Sequence, residues 1–276
     1  MRLSLFTHIE SPSGSGGMHI KHVIVLSIGN PAPYLNTRHS VGHLAIEVLR
    51  RELDLPAFTR SKQYGKASLV TSGVSPRTRM RYTLAQSPTL MNVSGPWVKK
   101  VWDTVLANNM QELKETDVHD AEPSKTQLAA ASTNLPQSRV GLVIMHDELE
   151  QEMGNLHSRP LTRSARGHNG LRSIKASMAS VEFPGAPWAT LSVGIGRPSL
   201  DEASRSSRKS SKTGAGGAGM DIAQYVLQQM TMEQREQLQG SVQDTAMKML
   251  SDVEDAWVHG PAATKTPKPP KQKRSG

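Results

Sequence analysis

Histidine and carboxylate side chains recur in this chain at the ends of apolar runs, where a folded protein can present them to a ligand. The first group spans Gly29-Asn30-Pro31, Tyr34 and Thr37-Arg38-His39; the second is Met145-His146-Asp147-Glu148; the third is Arg166-Gly167-His168-Asn169-Gly170. An imidazole titrates near neutrality, so His39 suits the role of a general base; a lone loop histidine serves equally well as a helix cap. Asp147, following a buried run, can accept a hydrogen bond from an imidazole N–H and fix its tautomer. Its alternative is a turn-capping aspartate beside Glu148 and Glu150. The segment 167–170 opens a helix-like stretch, where backbone amides favour anions, and Arg159, Arg163 and Arg166 stand just before it. Asn169 is there either an N-cap or an amide that holds a substrate carbonyl. A fourth segment, residues 88–95, offers Met91 and Asn92, by default a packing residue and a cap. Hydrolysis with a histidine base is the leading chemistry of this set.

The intervening sequence predicts the elements that carry these groups. Residues 22–28 and 140–145 are continuous apolar runs, the pattern of strands covered on both faces. Residues 64–71, 81–86 and 188–195 read as further strands. Val41, Leu44, Ala45, Val48 and Leu49 fall at helical spacing, predicting a helix over 40–53 with Ser40 as a possible N-cap. A second helix starts near Ser94, with Pro96 in its first turn, and a third covers 169–178. Thr231 and Gln234 form a capping box. The helix they start places Leu238, Val242, Ala246, Leu250, Val253 and Trp257 on one face and closes at Gly260. Strands alternating with amphipathic helices define an α/β protein with its sheet covered on both sides.

At 276 residues one domain with extensions is the simplest organisation. We place a leader at 1–20, the folded domain at 21–259 with flexible insertions at about 115–137 and 199–219, and a basic tail at 260–276. The formal charge is +9, and the tail alone carries five cations and no acid. That favours a polyanionic partner such as nucleic acid, with a solubilising tail as the alternative. The absence of cysteine excludes disulfides, a cysteine nucleophile and cysteine-ligated metal. No apolar run approaches a membrane-spanning length. The first 17 residues hold one Arg and one Glu, too few arginines for a transit peptide to be assigned. There is no phosphate loop and no Gly-x-Ser-x-Gly elbow, and the spacing of His39, Asp147 and His168 gives no support to a metal site.

Taken jointly, the segments resemble the bacterial-type peptidyl-tRNA hydrolase family. The matching pieces are Ile28-Gly29-Asn30-Pro31, Tyr34, Thr37-Arg38-His39, Gly42, Pro88-Thr89, Met91 to Gly95, His146-Asp147-Glu148-Leu149, Gly167-His168-Asn169-Gly170-Leu171 and Gly194-Ile195-Gly196, in the family's order. The resemblance covers roughly residues 22–257. It implies a single α/β domain with a twisted mixed sheet sandwiched between helices. It further implies cleavage of the ester joining a peptide to tRNA, with no metal or organic cofactor. On this resemblance His39 is the catalytic base and Asp147 its partner. Asn30, Asn92 and Asn169 position the substrate, Tyr34 and Met91 line the crevice, and His168 flanks it. The expected partner is peptidyl-tRNA, not a membrane; the expected form is a monomer in the cytoplasm or the mitochondrion.

The chain departs from the family pattern in four places. The loop from Asn30 to His39 is one residue short with Ala32 for a usual glycine, Ser40 replaces a usual Asn, Leu90 a usual Phe, and Ser192 stands where an Arg is usual. Arg159, Arg163, Arg166 or Arg197 would then supply the tRNA phosphate contacts. Two other readings compete: a non-catalytic RNA-binding protein that kept the fold, and a hydrolase or phosphorylase of small nucleosides.

Overall fold

A computed structural model of the chain describes residues 20–117, 140–165, 167–179, 187–197 and 222–259. The leader up to residue 19, most of the first insertion, the second insertion, Arg166 and the tail lie outside these residues. The described elements are strands β1 (His22–Ser27), β2 (Thr59–Ser61), β3 (Ser68–Val74), β4 (Arg81–Gln86), β5 (Val140–Glu148), β6 (Leu156–Pro160) and β7 (Trp188–Gly194). The helices are α1 (Val41–Glu52), α2 (Gly95–Asp117), α3 (Asn169–Met178), α4 (Ile222–Val226) and α5 (Met232–His259). The strands make one mixed sheet of order β2-β3-β4-β1-β5-β7-β6. Its centre, β4-β1-β5-β7, is parallel, and the outer pairs are antiparallel. The expected α/β architecture with a mixed sheet is what the chain forms.

The alternation of β1 explains the two layers. Val23 and Val25 face α1 and α5, in a core with Ile46, Leu49, Val143, Met145, Leu238, Val242 and Leu250. Ile24 and Leu26 face α2 and α3, in a core with Trp97, Val101, Trp102, Leu142, Ile144 and Ile174. Both faces of the central strands are thus removed from water, as their unbroken apolar character requires. The capping box forms as read: the amide of Thr231 donates to Gln234 Oε1 at 3.1 Å, and the amide of Gln234 to Thr231 Oγ1 at 3.2 Å.

Three expectations are corrected. The strand predicted from residue 64 begins only at Ser68, because Gly65, at φ +120°, closes a turn in which its carbonyl receives the Ser68 amide. Strand β5 runs three residues past Met145: its last rungs, His146 to Glu148, have no partner in β1 and pair instead with Ser192 to Gly194 of β7. Helix α2 continues to Asp117, into the segment assigned to the first insertion. The edge strands β2 and β6 are short and polar; only their pairing with a neighbour defines them.

The order of strands creates a switch point. From β1 the chain moves to β4 on one side, then crosses to β5 on the other. Crevices at the carboxyl ends of such strands are where open α/β sheets place their ligands.

Candidate active site

Four segments meet at this edge. The loop after β1 carries Asn30 and Tyr34 and ends in a 3₁₀ turn, Arg38–Ser40, that leads into α1. The loop after β4 contains a second 3₁₀ turn, Met91–Val93. The end of β5 supplies Asp147, and His168 stands at the N-terminus of α3. Close approach is built in at Gly42, where an added Cβ would come within 2.8 Å of the carbonyl oxygens of Ile28 and Met145. A glycine there lets α1 start hard against the ends of β1 and β5, which brings His39 to Asp147.

Hydrogen bonds lock the segments to one another. Asn30 is buried; its backbone N–H donates to Ser40 Oγ at 2.9 Å, and its side-chain Oδ1 accepts the Met91 backbone amide at 2.9 Å. Ser40 Oγ also reaches the carbonyls of Asn30 and Tyr34. Ser40 is the N-cap position of α1, yet its hydroxyl makes no capping bond; it pins the preceding loop instead. The buried Met91 packs toward Gly170, whose missing Cβ leaves room for Met91, Ile28 and His168. The N-cap of α3 is His168, not Asn169: His168 Nδ1 accepts the Leu171 amide at 3.2 Å. Asn169 is the first helical residue and exposed, its Oδ1 accepting from Arg172.

At the centre, Asp147 receives two imidazoles. His39 Nδ1 lies 2.9 Å from Oδ2, and His168 Nε2 lies 3.0 Å from Oδ1. The Asp147 side chain is 4% exposed, that of His39 26%. Burial opposes ionisation of Asp147, but the charges of the two histidines and both hydrogen bonds hold it well below the usual carboxylate range. An ionised carboxylate only accepts, so His39 donates through Nδ1–H and keeps its lone pair on Nε2, turned away from the acid. Burial pulls the His39 pKa down; the charge of Asp147 and the hydrogen bond to it more than compensate, and the net shift is upward. The neighbouring His146 is buried, its Nδ1 2.6 Å from the Asp147 carbonyl oxygen, and burial drives its pKa to about 3. It is a neutral packing group, its ring edge-on to that of His168.

His39, Asp147 and His168 also present three ligand atoms within 4.8 Å of one another. The cap bond puts the proton of neutral His168 on Nε2, the nitrogen a cation would need bare. With that proton in place the three side chains are set up as a hydrogen-bonded relay.

The remaining predicted residues fall around this centre. Tyr34 is 42% exposed on its loop, and Asn92 is exposed on the turn that follows Met91. Ser192 is buried on β7, its hydroxyl bonded to the His157 carbonyl at 3.0 Å, so this position offers no cation. Arg159, on β6, lies 3.9 Å from Glu148 and, with the exposed Arg163 and with Lys175 of α3, lines a small cleft of about 30 Å³ beside His168. Arg197 is paired with Glu150. Sequence reasoning gave no role to Lys175, whose Nζ donates to the carbonyls of Thr162 and Arg163. Nor did it give one to Arg38, which is buried and bonds Gln228 Oε1 at 3.1 Å. No local signal marks either partnership: Arg38 meets Gln228, far along the chain, and Lys175 meets the turn that precedes its own helix.

Fold and site together define an α/β protein with a histidine–aspartate pair fit for general-base chemistry. A family model described as peptidyl-tRNA hydrolase matches residues 24–120 and 124–265, and the chain belongs to that family. It is 33% identical over 181 residues to the peptidyl-tRNA hydrolase of Saccharomyces cerevisiae, a match covering 63% of this chain and 73% of the relative. It is 25% identical over 229 residues to that of Thermodesulfovibrio yellowstonii, covering 83% and 90%. The crystal structure of peptidyl-tRNA hydrolase from Acinetobacter baumannii superposes with a TM-score of 0.50 at 20% identity, over 90% of this chain and 92% of that one. That similarity extends the agreement to the fold.

Proposed function

We propose that the chain hydrolyses the ester bond between peptide and tRNA in peptidyl-tRNA, returning free tRNA to translation. The observation that carries this reading is the His39–Asp147 pair at the strand switch point, in a chain of this family. Nε2 of His39 takes a proton from water as the oxygen adds to the ester carbonyl. The tetrahedral intermediate then expels the ribose hydroxyl, which recovers the proton from the imidazolium. Asp147 holds the ring in the Nδ1–H tautomer and stabilises its charged form. The Asn30 carboxamide has its oxygen committed to Met91, so its N–H groups are what it offers a substrate carbonyl. Asn92 and Asn169 face the substrate from the other two loops, Tyr34 and Met91 line the crevice, and amide contacts to a peptide backbone tolerate many sequences. Arg159 and Arg163, with Arg166, take tRNA phosphates in place of the arginine absent at Ser192. Arg197, tied to Glu150, is the weakest contributor to that set. The chain acts as a monomer, in the cytoplasm or the mitochondrion. Among the described residues no helix is long and apolar enough to cross a membrane.

The test is release of peptide from peptidyl-tRNA by the purified full chain in excess EDTA. Release is expected, and His39→Ala should remove nearly all of it. Full turnover by that variant rejects His39 as the base; tRNA binding without any hydrolysis by the parent chain rejects the catalytic reading.

A further inference from the structure

The two imidazoles on Asp147 are not equivalent. His168 accepts the Leu171 amide through Nδ1, and a nitrogen that accepts such a bond carries no proton. Neutral His168 therefore has its proton on Nε2, the atom 3.0 Å from Asp147 Oδ1. Adding a proton at Nδ1 would set two donors against each other and break the cap of α3. His39 has no cap to keep, and its Nε2 is turned away from Asp147. The two rings stand 5.7 Å apart, so they share one carboxylate rather than each other.

Resting on the function proposed above, we infer that His168 is the positioning residue of the base. Held by the helix cap with Nδ1 as acceptor, it donates through Nε2–H to the second oxygen of Asp147. That bond turns the carboxylate plane toward His39 and draws off part of its negative charge. A carboxylate with one oxygen already satisfied stabilises the His39 imidazolium less than an unshared one, so His39 stays available as an unprotonated base. The other groups around the pair come from every packed element. His146 and Glu148 lie on β5 and Arg159 on β6, within reach of Glu148. Arg38, on the same 3₁₀ turn as His39, is directed to Gln228 and Gln234. None of these supplies a second donor to Asp147 among the bonds described, which leaves that task to His168.

The test uses histidine-labelled full chain without substrate, followed by nitrogen NMR from about pH 5 to about pH 9. Neutral His168 should show the Nε2–H tautomer. His168→Asn keeps a capping acceptor but is too short to reach Asp147. In that variant the His39 midpoint should rise by about half a pH unit or more, and the acid limb of kcat/KM on peptidyl-tRNA should rise with it. His168→Gln extends an N–H to where Nε2 stood and should bring the midpoint back. An unmoved His39 midpoint in the Asn variant, or an Nδ1–H tautomer of His168 in the parent chain, overturns the assignment. The spectra need no turnover. Failure of the parent chain to release peptide therefore counts against the proposed function alone.

Discussion

The guanidinium of Arg38 sits 4.4 Å above the ring of Tyr225, joining the turn that carries His39 to helix α4, far along the chain. The same side chain donates to Gln228 and Gln234, and backbone bonds from Arg38 to Gln228 and from Met230 to Asn36 reinforce the seam. Arg38→Ala removes a buried cation–π contact together with its hydrogen bonds, which should cost about 2–4 kcal/mol. Urea unfolding measures the loss, and hydrogen exchange should localise it to α4 and the first turns of α5. Unchanged stability would mean that Arg38 does not bind these segments together.

Removal of the base is expected to act on rate rather than on folding. His39→Ala should lower kcat on peptidyl-tRNA about a thousandfold or more, about 4 kcal/mol of transition-state stabilisation. Asp147→Asn can present its N–H to His39 and so favour the wrong tautomer, with a loss of comparable size. Because the two side chains act as a unit, the double variant should be little worse than either single one. Additive losses in steady-state assays would separate their roles.

At Gly42 backbone packs directly on backbone. An added methyl meets two backbone carbonyls that cannot swing aside, so Gly42→Ala should destabilise by about 2 kcal/mol or more and displace the start of α1. Thermal unfolding and kcat should fall together. A fully active, equally stable variant would show that α1 can retreat without disturbing His39.

Acid should weaken the fold through two buried histidines. His43, buried behind Gly29 with Ser27 Oγ 2.8 Å from its Nδ1, has its pKa lowered by burial to about 4, and His146 to about 3. Their folded values are depressed, so the stability they contribute is complete above the ordinary histidine value of 6.5 and is lost as pH falls toward the folded values. At about pH 5 the two together should cost about 3–4 kcal/mol. The raised His39 works in the opposite sense, stabilising below 6.5 and losing that contribution as pH rises through its folded value. Activity follows His39 alone, falling as the base is protonated on the acid side. Urea midpoints and kcat/KM against pH separate the two effects.

The tail prediction comes from charge alone. Deleting residues 264–276 removes five cations, which should weaken tRNA binding at low salt and flatten its salt dependence while leaving the chemical step intact. Equal affinity at low ionic strength would return the tail to a solubilising role.

Much of this protein was determined by local sequence. The continuous apolar runs of β1 and β5 called for a parallel sheet covered on both sides, the spacing of α1 and α5 for helices packed on it, and Thr231 with Gln234 for the start of α5. Each rests on interactions among residues close in sequence, or on a periodicity that one face must satisfy. The types of His39, Asp147, His168 and the asparagines were legible in the same way. Their pairing was expected only through the family resemblance; the contact itself is tertiary, because a hydrogen bond between positions 39 and 147 depends on which strands lie side by side, and strand order leaves no local trace. The same holds for β2 and β6, whose residues become strands only because a neighbour offers them a ladder, for Arg38 on Tyr225, and for His168. In sequence His168 was one histidine in a glycine-rich turn; in the fold, a helix amide on one nitrogen dictates which proton the other turns to Asp147.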